Sequence, residues 1–231
     1  MIKELLQFSY DRQVAHIPSA LSMLTYVEAL FRKKIIKPYR DKIVLGKPFG
    51  SQTYYTLWKD MGYLQSIDNL SMGVKHDEID FVDYGEETMG NALGVAAGIA
   101  MSTQDRVWVN LTDATLQMGS TLEAIQFIGH RNLKNIIMTI DYNNMQVTGK
   151  PSDIIPDDPV IPFLQGNNWD VYTVNGHNSD EIVYTPGQRP AAYICKTVKG
   201  YGVKCMEDNP VEWHYKKIDE SNLRQIFKQI Q

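Results

Sequence analysis

A chain of 231 residues with 43% hydrophobic and 22% charged residues is long enough to bury a sizeable core and has the composition of a globular protein. A net charge of −4 and a pI near 5.7 give no support to a nucleic-acid partner or to binding at an acidic membrane surface. No segment approaches about 18 uninterrupted apolar residues, so no membrane span is expected, and Met1 to Tyr10, carrying Lys3 and Glu4, lack the apolar run of a secretion signal. The expected compartment is the cytoplasm. Cys195 and Cys205 have no metal-type spacing and are expected to be free thiols.

In chain order, residues 2–33 read as two helices broken near Pro18. Ser19 is the expected N-cap of the second, and Leu21, Leu24, Val27, Leu30 and Phe31 form its apolar face. Arg32-Lys33-Lys34 closes that helix, where cations favour the C-terminal end of the dipole. Ile43-Val44-Leu45 is a short buried-strand candidate ending in Gly46-Lys47-Pro48-Phe49-Gly50. Residues 51–64 look helical, with Tyr54, Tyr55 and Trp58 read as core, and a polar, irregular stretch runs over 66–87. From Gly90 a small-residue helix begins, Gly90-Asn91-Ala92-Leu93-Gly94-Val95-Ala96-Ala97-Gly98. Each glycine costs roughly 1 kcal/mol of helix propensity against alanine, which makes sense where a backbone approaches a neighbour or ligand closely. A Pro- and Asp-rich loop spans 150–162, and two further strands are expected at 169–174 and 191–196. The fold class is α/β, one domain over 1–231 with a mainly parallel sheet flanked by helices.

The most informative pair lies between these segments. Val107-Trp108-Val109-Asn110-Leu111 precedes Asp113, and Ile136-Ile137-Met138-Thr139-Ile140 precedes Asn143. The intervening stretch has helical spacing at Leu122, Ile125, Gln126, Ile128 and Gly129, so the unit is strand–helix–strand and its strands are parallel. An acid and an amide separated by 143 − 113 = 30 residues can then converge at one carboxyl edge, where open α/β sheets bind ligands. Two oxygen donors suit Mg²⁺ or Ca²⁺, and Mg²⁺ usually shares its shell with a phosphate. The pair therefore points to a diphosphate cofactor.

Five ordered segments together resemble the transketolase family, in its N-terminal, diphosphate-binding half. They are His16-Ile17-Pro18-Ser19-Ala20-Leu21-Ser22; Gly46-Lys47-Pro48-Phe49-Gly50; Met89-Gly90-Asn91-Ala92-Leu93; Thr112-Asp113-Ala114 with Asp141-Tyr142-Asn143; and Lys196-Thr197-Val198-Lys199-Gly200-Tyr201-Gly202-Val203 with Trp213-His214. The resemblance implies the thiamine diphosphate-binding fold and the cofactors thiamine diphosphate and Mg²⁺. Asp113, Asn143 and the backbone carbonyl of Met145 would hold the metal. Gly90 and Ala114 would offer backbone N–H groups to the diphosphate. His16 and His214 would lie near the diphosphate and the reactive carbon, His76 matches a histidine that approaches sugar hydroxyls, and Glu123 matches a glutamate at the subunit interface.

Several positions depart from the family pattern. Thr112 and Ala114 replace both signature glycines, Phe49 stands in place of a histidine facing substrate and diphosphate, Pro48 stiffens that turn, and Met118 replaces an interface glutamate. The resemblance covers only the diphosphate-binding half. It implies a separate pyrimidine-binding subunit, expected in an α₂β₂ assembly, and an activity that moves a two-carbon ketol unit from a ketose, such as a sugar phosphate, to an aldehyde. Two alternatives stay open: a thiamine diphosphate-dependent 2-keto acid decarboxylase or acyl-transfer component, and a degenerate, non-catalytic partner subunit.

Overall fold

The computed structural model describes residues 1–75, 77–147, 149–155 and 159–230. In chain order the elements are helix α1 (Ile2–Asp11), α2 (Ile17–Arg32), strand β1 (Lys42–Leu45), α3 (Ser51–Asp60), β2 (Tyr84–Gly85), α4 (Ala92–Ser102), β3 (Val107–Thr112), α5 (Gly119–Arg131), β4 (Ile136–Tyr142), α6 (Val160–Gly166), β5 (Asp170–Asn175), β6 (Ala191–Lys196), α7 (Lys204–Asp208) and α8 (Glu220–Gln229). Single 3₁₀ turns intervene, among them one at Asp113–Gln117 directly after β3.

The six strands form one sheet in the order β2-β1-β3-β4-β6-β5, and each neighbouring pair is parallel. Strands covered on both faces read as continuous apolar runs rather than alternating ones, and β3 is buried along its whole length. Successive side chains still divide between two layers. Ile43, Leu45, Trp108, Ile137 and Cys195 meet Val27, Phe31, Tyr55 and Trp58 of α2 and α3 on one face. Val109, Leu111, Met138 and Ile140 meet Leu93, Ala96, Ile125 and Leu164 of α4, α5 and α6 on the other. A third cluster joins α1, α2 and α8 through Leu5, Leu21, Leu223 and Ile226, and draws in Trp213.

Trp58 and Tyr55 are fully buried and Tyr54 nearly so, as their reading as core required. Both cysteines are free thiols. No helix among the described residues is long and apolar enough to cross a membrane.

Four local expectations are corrected. The N-cap of α2 is His16, in the left-handed region at φ 59°, with Pro18 inside the first turn; a proline there lacks only an N–H that has no helical partner anyway. Ser19 is therefore within the helix. The small-residue helix begins at Ala92 rather than Gly90, and its Gly94 and Gly98 have open space where a Cβ would stand. The close approach is made by Gly46, whose added Cβ would lie 2.5 Å from the Ala92 Cβ. The irregular stretch 66–87 also contributes the short edge strand β2, and α6 begins inside the expected loop 150–162.

Candidate functional site at the carboxyl edge of the sheet

The register of β3 on β4 places Thr112 opposite Asp141. Asp113 then lies one residue beyond the pairing and Asn143 two, so the two expected donors leave the same edge of the sheet side by side. Asp113 is 3% exposed and Asn143 8%. Asp113 Oδ1 accepts from the Thr112 hydroxyl and from the Ala114 N–H, both at 2.9 Å, and Oδ2 accepts from the Asn144 N–H at 2.6 Å. Burial, and then the charge of Asp141, push the Asp113 carboxyl up to about 6 against these hydrogen bonds. Asn143 Oδ1 accepts from the Met145 N–H at 3.0 Å, which folds the following loop back on itself.

The altered signature is compatible with this geometry. Thr112 is extended, at φ −128° and ψ 163°, and Ala114 is not among the positive-φ residues, so neither position demands glycine. Thr112 adds a hydroxyl that steadies Asp113, and it also reaches the Asp141 carbonyl at 3.3 Å. The Ala114 N–H is engaged by Asp113.

Asp141 is fully buried. It accepts from Ser22 Oγ at 2.5 Å, Lys47 Nζ at 2.5 Å, Thr197 Oγ1 at 2.5 Å and Asn143 Nδ2 at 2.9 Å. Burial alone would raise its pKa, but the Lys47 ammonium and these hydrogen bonds outweigh it and hold the carboxyl below its ordinary value. Lys47 also donates to the Ser19 carbonyl at 2.6 Å.

A second cation borders the loop after Asn143. Lys199, 3% exposed, donates to the Gln146 carbonyl at 3.3 Å and lies 3.0 Å from His214 Nδ1. Burial, then the Lys47 charge, lower its pKa to about 8, so it is largely an ammonium near neutrality. An ammonium can only donate, so His214 Nδ1 is the acceptor and the ring proton sits on Nε2. Burial, then Lys199, bring both His214 and His16 down to about 4, leaving neutral imidazoles. The two rings meet edge to face at 4.7 Å, and the backbone N–H of His16 donates to the His214 carbonyl at 3.1 Å. Phe49 stacks on His16 at 4.1 Å and Tyr215 meets it edge-on at 5.2 Å, with Phe49 43% and Tyr215 63% exposed.

Gly90 adopts φ 123°, and a Cβ there would stand 3.1 Å from Met118 Sδ and from Ser120 Oγ. Its carbonyl accepts from Ser120 Oγ at 2.7 Å, tying the turn before α4 to the start of α5. Glu86, 2% exposed, accepts from the Asn91 and Ala92 N–H groups at the start of α4. Glu123 lies exposed on α5. His76 lies outside the described residues.

The structure thus brings Asp113, Ala114, Asn143 and Met145 to one edge and joins them through Lys199 to His214 and His16. Lys47, Asp141, Thr197 and Lys199 were present in the quoted segments without a role. Their signal was polar residues inside otherwise apolar or glycine-rich motifs. Among the described residues no three His, Cys, Asp or Glu form a metal cage. A cation held by Asp113 would draw the rest of its shell from amide, carbonyl and phosphate oxygens, which suits a hard divalent ion.

A buried acid–amide pair thus stands at the carboxyl edge of a parallel α/β sheet, with buried lysine and histidine side chains beside it, the edge at which open α/β sheets bind ligands. The chain belongs to the transketolase thiamine diphosphate-binding domain family: residues 95–230, more than half its length, match the family described as "Transketolase, thiamine diphosphate binding domain". It is 28% identical over 214 residues to the transketolase of Mus musculus, covering 84% of this chain and 34% of that one. The chain therefore spans about a third of the length of that relative. It is also 28% identical over 234 residues to the 6-deoxy-6-sulfo-D-fructose transketolase subunit of Clostridium sp. (strain MSTE9), covering 90% of this chain and 85% of that subunit. Among solved structures, a transketolase from Campylobacter jejuni superposes with a TM-score of 0.83 at 18% identity, over 99% of this chain and 41% of that one. A transketolase from Leishmania mexicana gives 0.74 at 15% identity, over 99% and 42%. These structures share the fold.

Proposed function

We propose that this chain is the diphosphate- and Mg²⁺-binding subunit of a thiamine diphosphate-dependent transketolase-like enzyme. The carrying observation is the convergence of the Asp113 carboxylate and the Asn143 amide beyond paired ends of β3 and β4, with Lys199 linking their loop to His214. In this reading Asp113, Asn143 and the Met145 carbonyl hold Mg²⁺, and Lys199 and the neutral His214 and His16 donate to diphosphate or substrate oxygens. Gly90 lets the backbone come close, and His76 attends the substrate hydroxyls. When bound, the cofactor supplies the nucleophilic carbon and electron sink needed to cut and remake a carbon–carbon bond.

The reaction is transfer of a two-carbon ketol unit from a ketose to an aldehyde. The pyrimidine-binding half comes from a separate subunit, with Glu123 at the interface and an α₂β₂ assembly. Support for a split enzyme is the match to a relative that is itself named a transketolase subunit and is covered over 85% of its length. The exposed Phe49 face on His16 gives the substrate side an apolar wall, favouring a donor other than the ordinary one. Product analysis of the reconstituted enzyme tests the reaction. Ketol transfer from a ketose to an aldehyde is expected; turnover of 2-keto acids alone would replace this reading with the decarboxylase or acyl-transfer one, and cofactor binding without turnover of either donor would favour a non-catalytic subunit.

A further inference from the structure

A carboxamide has nearly the same shape either way round, so its orientation is set by its partners. Asn143 has two: Nδ2 donates to Asp141 Oδ2 at 2.9 Å, and Oδ1 accepts from the Met145 N–H at 3.0 Å. Asp141 can receive an N–H but, while charged, cannot donate one, so it fixes which end of the amide faces it. Its own position is fixed by three further elements: Thr197 after β6, Ser22 in α2 and Lys47 after β1, each at 2.5 Å.

A buried ion pair is a weak stabiliser compared with an apolar pair of the same volume. Fold stability alone is therefore a weak reason for an acid at this place. Reception of the Asn143 Nδ2 does give one.

We propose that Asp141, held by Lys47, Ser22 and Thr197, is a positioning residue that turns the Asn143 oxygen away from the core and into the loop shared with Asp113. Lys47 then acts on metal affinity through two intervening residues, touching neither metal nor cofactor. This inference rests on the Mg²⁺–diphosphate reading above.

The test uses the full chain mixed with a pyrimidine-half subunit, saturating thiamine diphosphate and Mn²⁺ as the probe, with free Mn²⁺ read by electron paramagnetic resonance and thermal melts run in parallel. Asp141→Asn keeps the shape but can present an N–H to Asn143, letting that amide reverse. Outer partners of metal ligands typically carry about 10–100-fold of metal affinity, and a loss in that range is expected. Thr197→Val and Ser22→Ala each remove one hydrogen bond to the carboxylate and leave it charged, so a loss of a few-fold is expected from each. Should Asp141→Asn fail to fold, the Thr197 and Ser22 variants decide. Folded variants with lowered melting points and unchanged Mn²⁺ affinity would overturn the positioning role while leaving the metal site standing. No Mn²⁺ uptake by the wild-type chain in that mixture would overturn the metal reading itself, and this inference with it.

Discussion

His214 is kept neutral by burial, by the Lys199 ammonium 3.0 Å from its Nδ1 and by the adjacent His16 ring. Its folded pKa of about 4, like that of His16, lies below the ordinary 6.5, so between those values the unfolded chain binds more protons than the folded one. This contribution to stability is complete above pH 6.5 and is lost as pH falls toward 4. Melting curves across that range should fall more steeply for wild type than for His214→Gln, whose amide can still accept from Lys199; parallel slopes would contradict the assignment. Lys199→Met should weaken cofactor binding by about tenfold, the scale of one hydrogen bond from a charged donor, as read by calorimetry. Phe49→His replaces an apolar face by a donor. It should move the ratio of kcat/KM values toward polyhydroxylated ketose donors by a few-fold, the scale of about one hydrogen bond to a substrate hydroxyl; an unchanged ratio would show that Phe49 does not line the donor path.

The turn between β2 and α4 is sensitive to a single added carbon. Gly90 at φ 123° combines a conformation that side chains rarely adopt with contacts of 3.1 Å to Met118 and Ser120. Gly90→Ala should lower stability by roughly 1–3 kcal/mol, the cost of a residue held in a sparsely populated backbone region, measurable by denaturant unfolding. A neutral result would mean that the turn relaxes freely. Elements with strong periodicity were legible: β3 and β4 through their apolar runs, α5 through its helical spacing, and β6 over its observed range. The short or irregular ones were not. β2 is two residues long and exists because β1 offers it an edge. The end of α2 was clear from Arg32, but its beginning was hidden because His16 caps it in a left-handed conformation without a side-chain hydrogen bond. The amphipathic α8, whose N-cap Asp219 accepts from the Asn222 N–H at 2.7 Å, carries its signals at Asp219, Leu223 and Ile226, outside the motifs of the resemblance.

At the scale of the molecule, one topological fact made half of the site readable: a strand–helix–strand crossover brings Asp113 and Asn143 to a common edge whatever the details of packing. The other half depends on long-range convergence that spacing does not encode. Ser22, Lys47, Asp141 and Thr197 meet from four elements, and the burial of Lys199 beside His214 follows from how the segment after β6 folds back over α2. In the proposed function this edge anchors thiamine diphosphate through Mg²⁺ bound at Asp113. The direct measurement is calorimetry of the chain mixed with its pyrimidine-half subunit, thiamine diphosphate and Mg²⁺. Saturable cofactor binding that requires Mg²⁺ and is lost in Asp113→Ala is the predicted result. Binding that ignores Mg²⁺, or that survives Asp113→Ala unchanged, would contradict it.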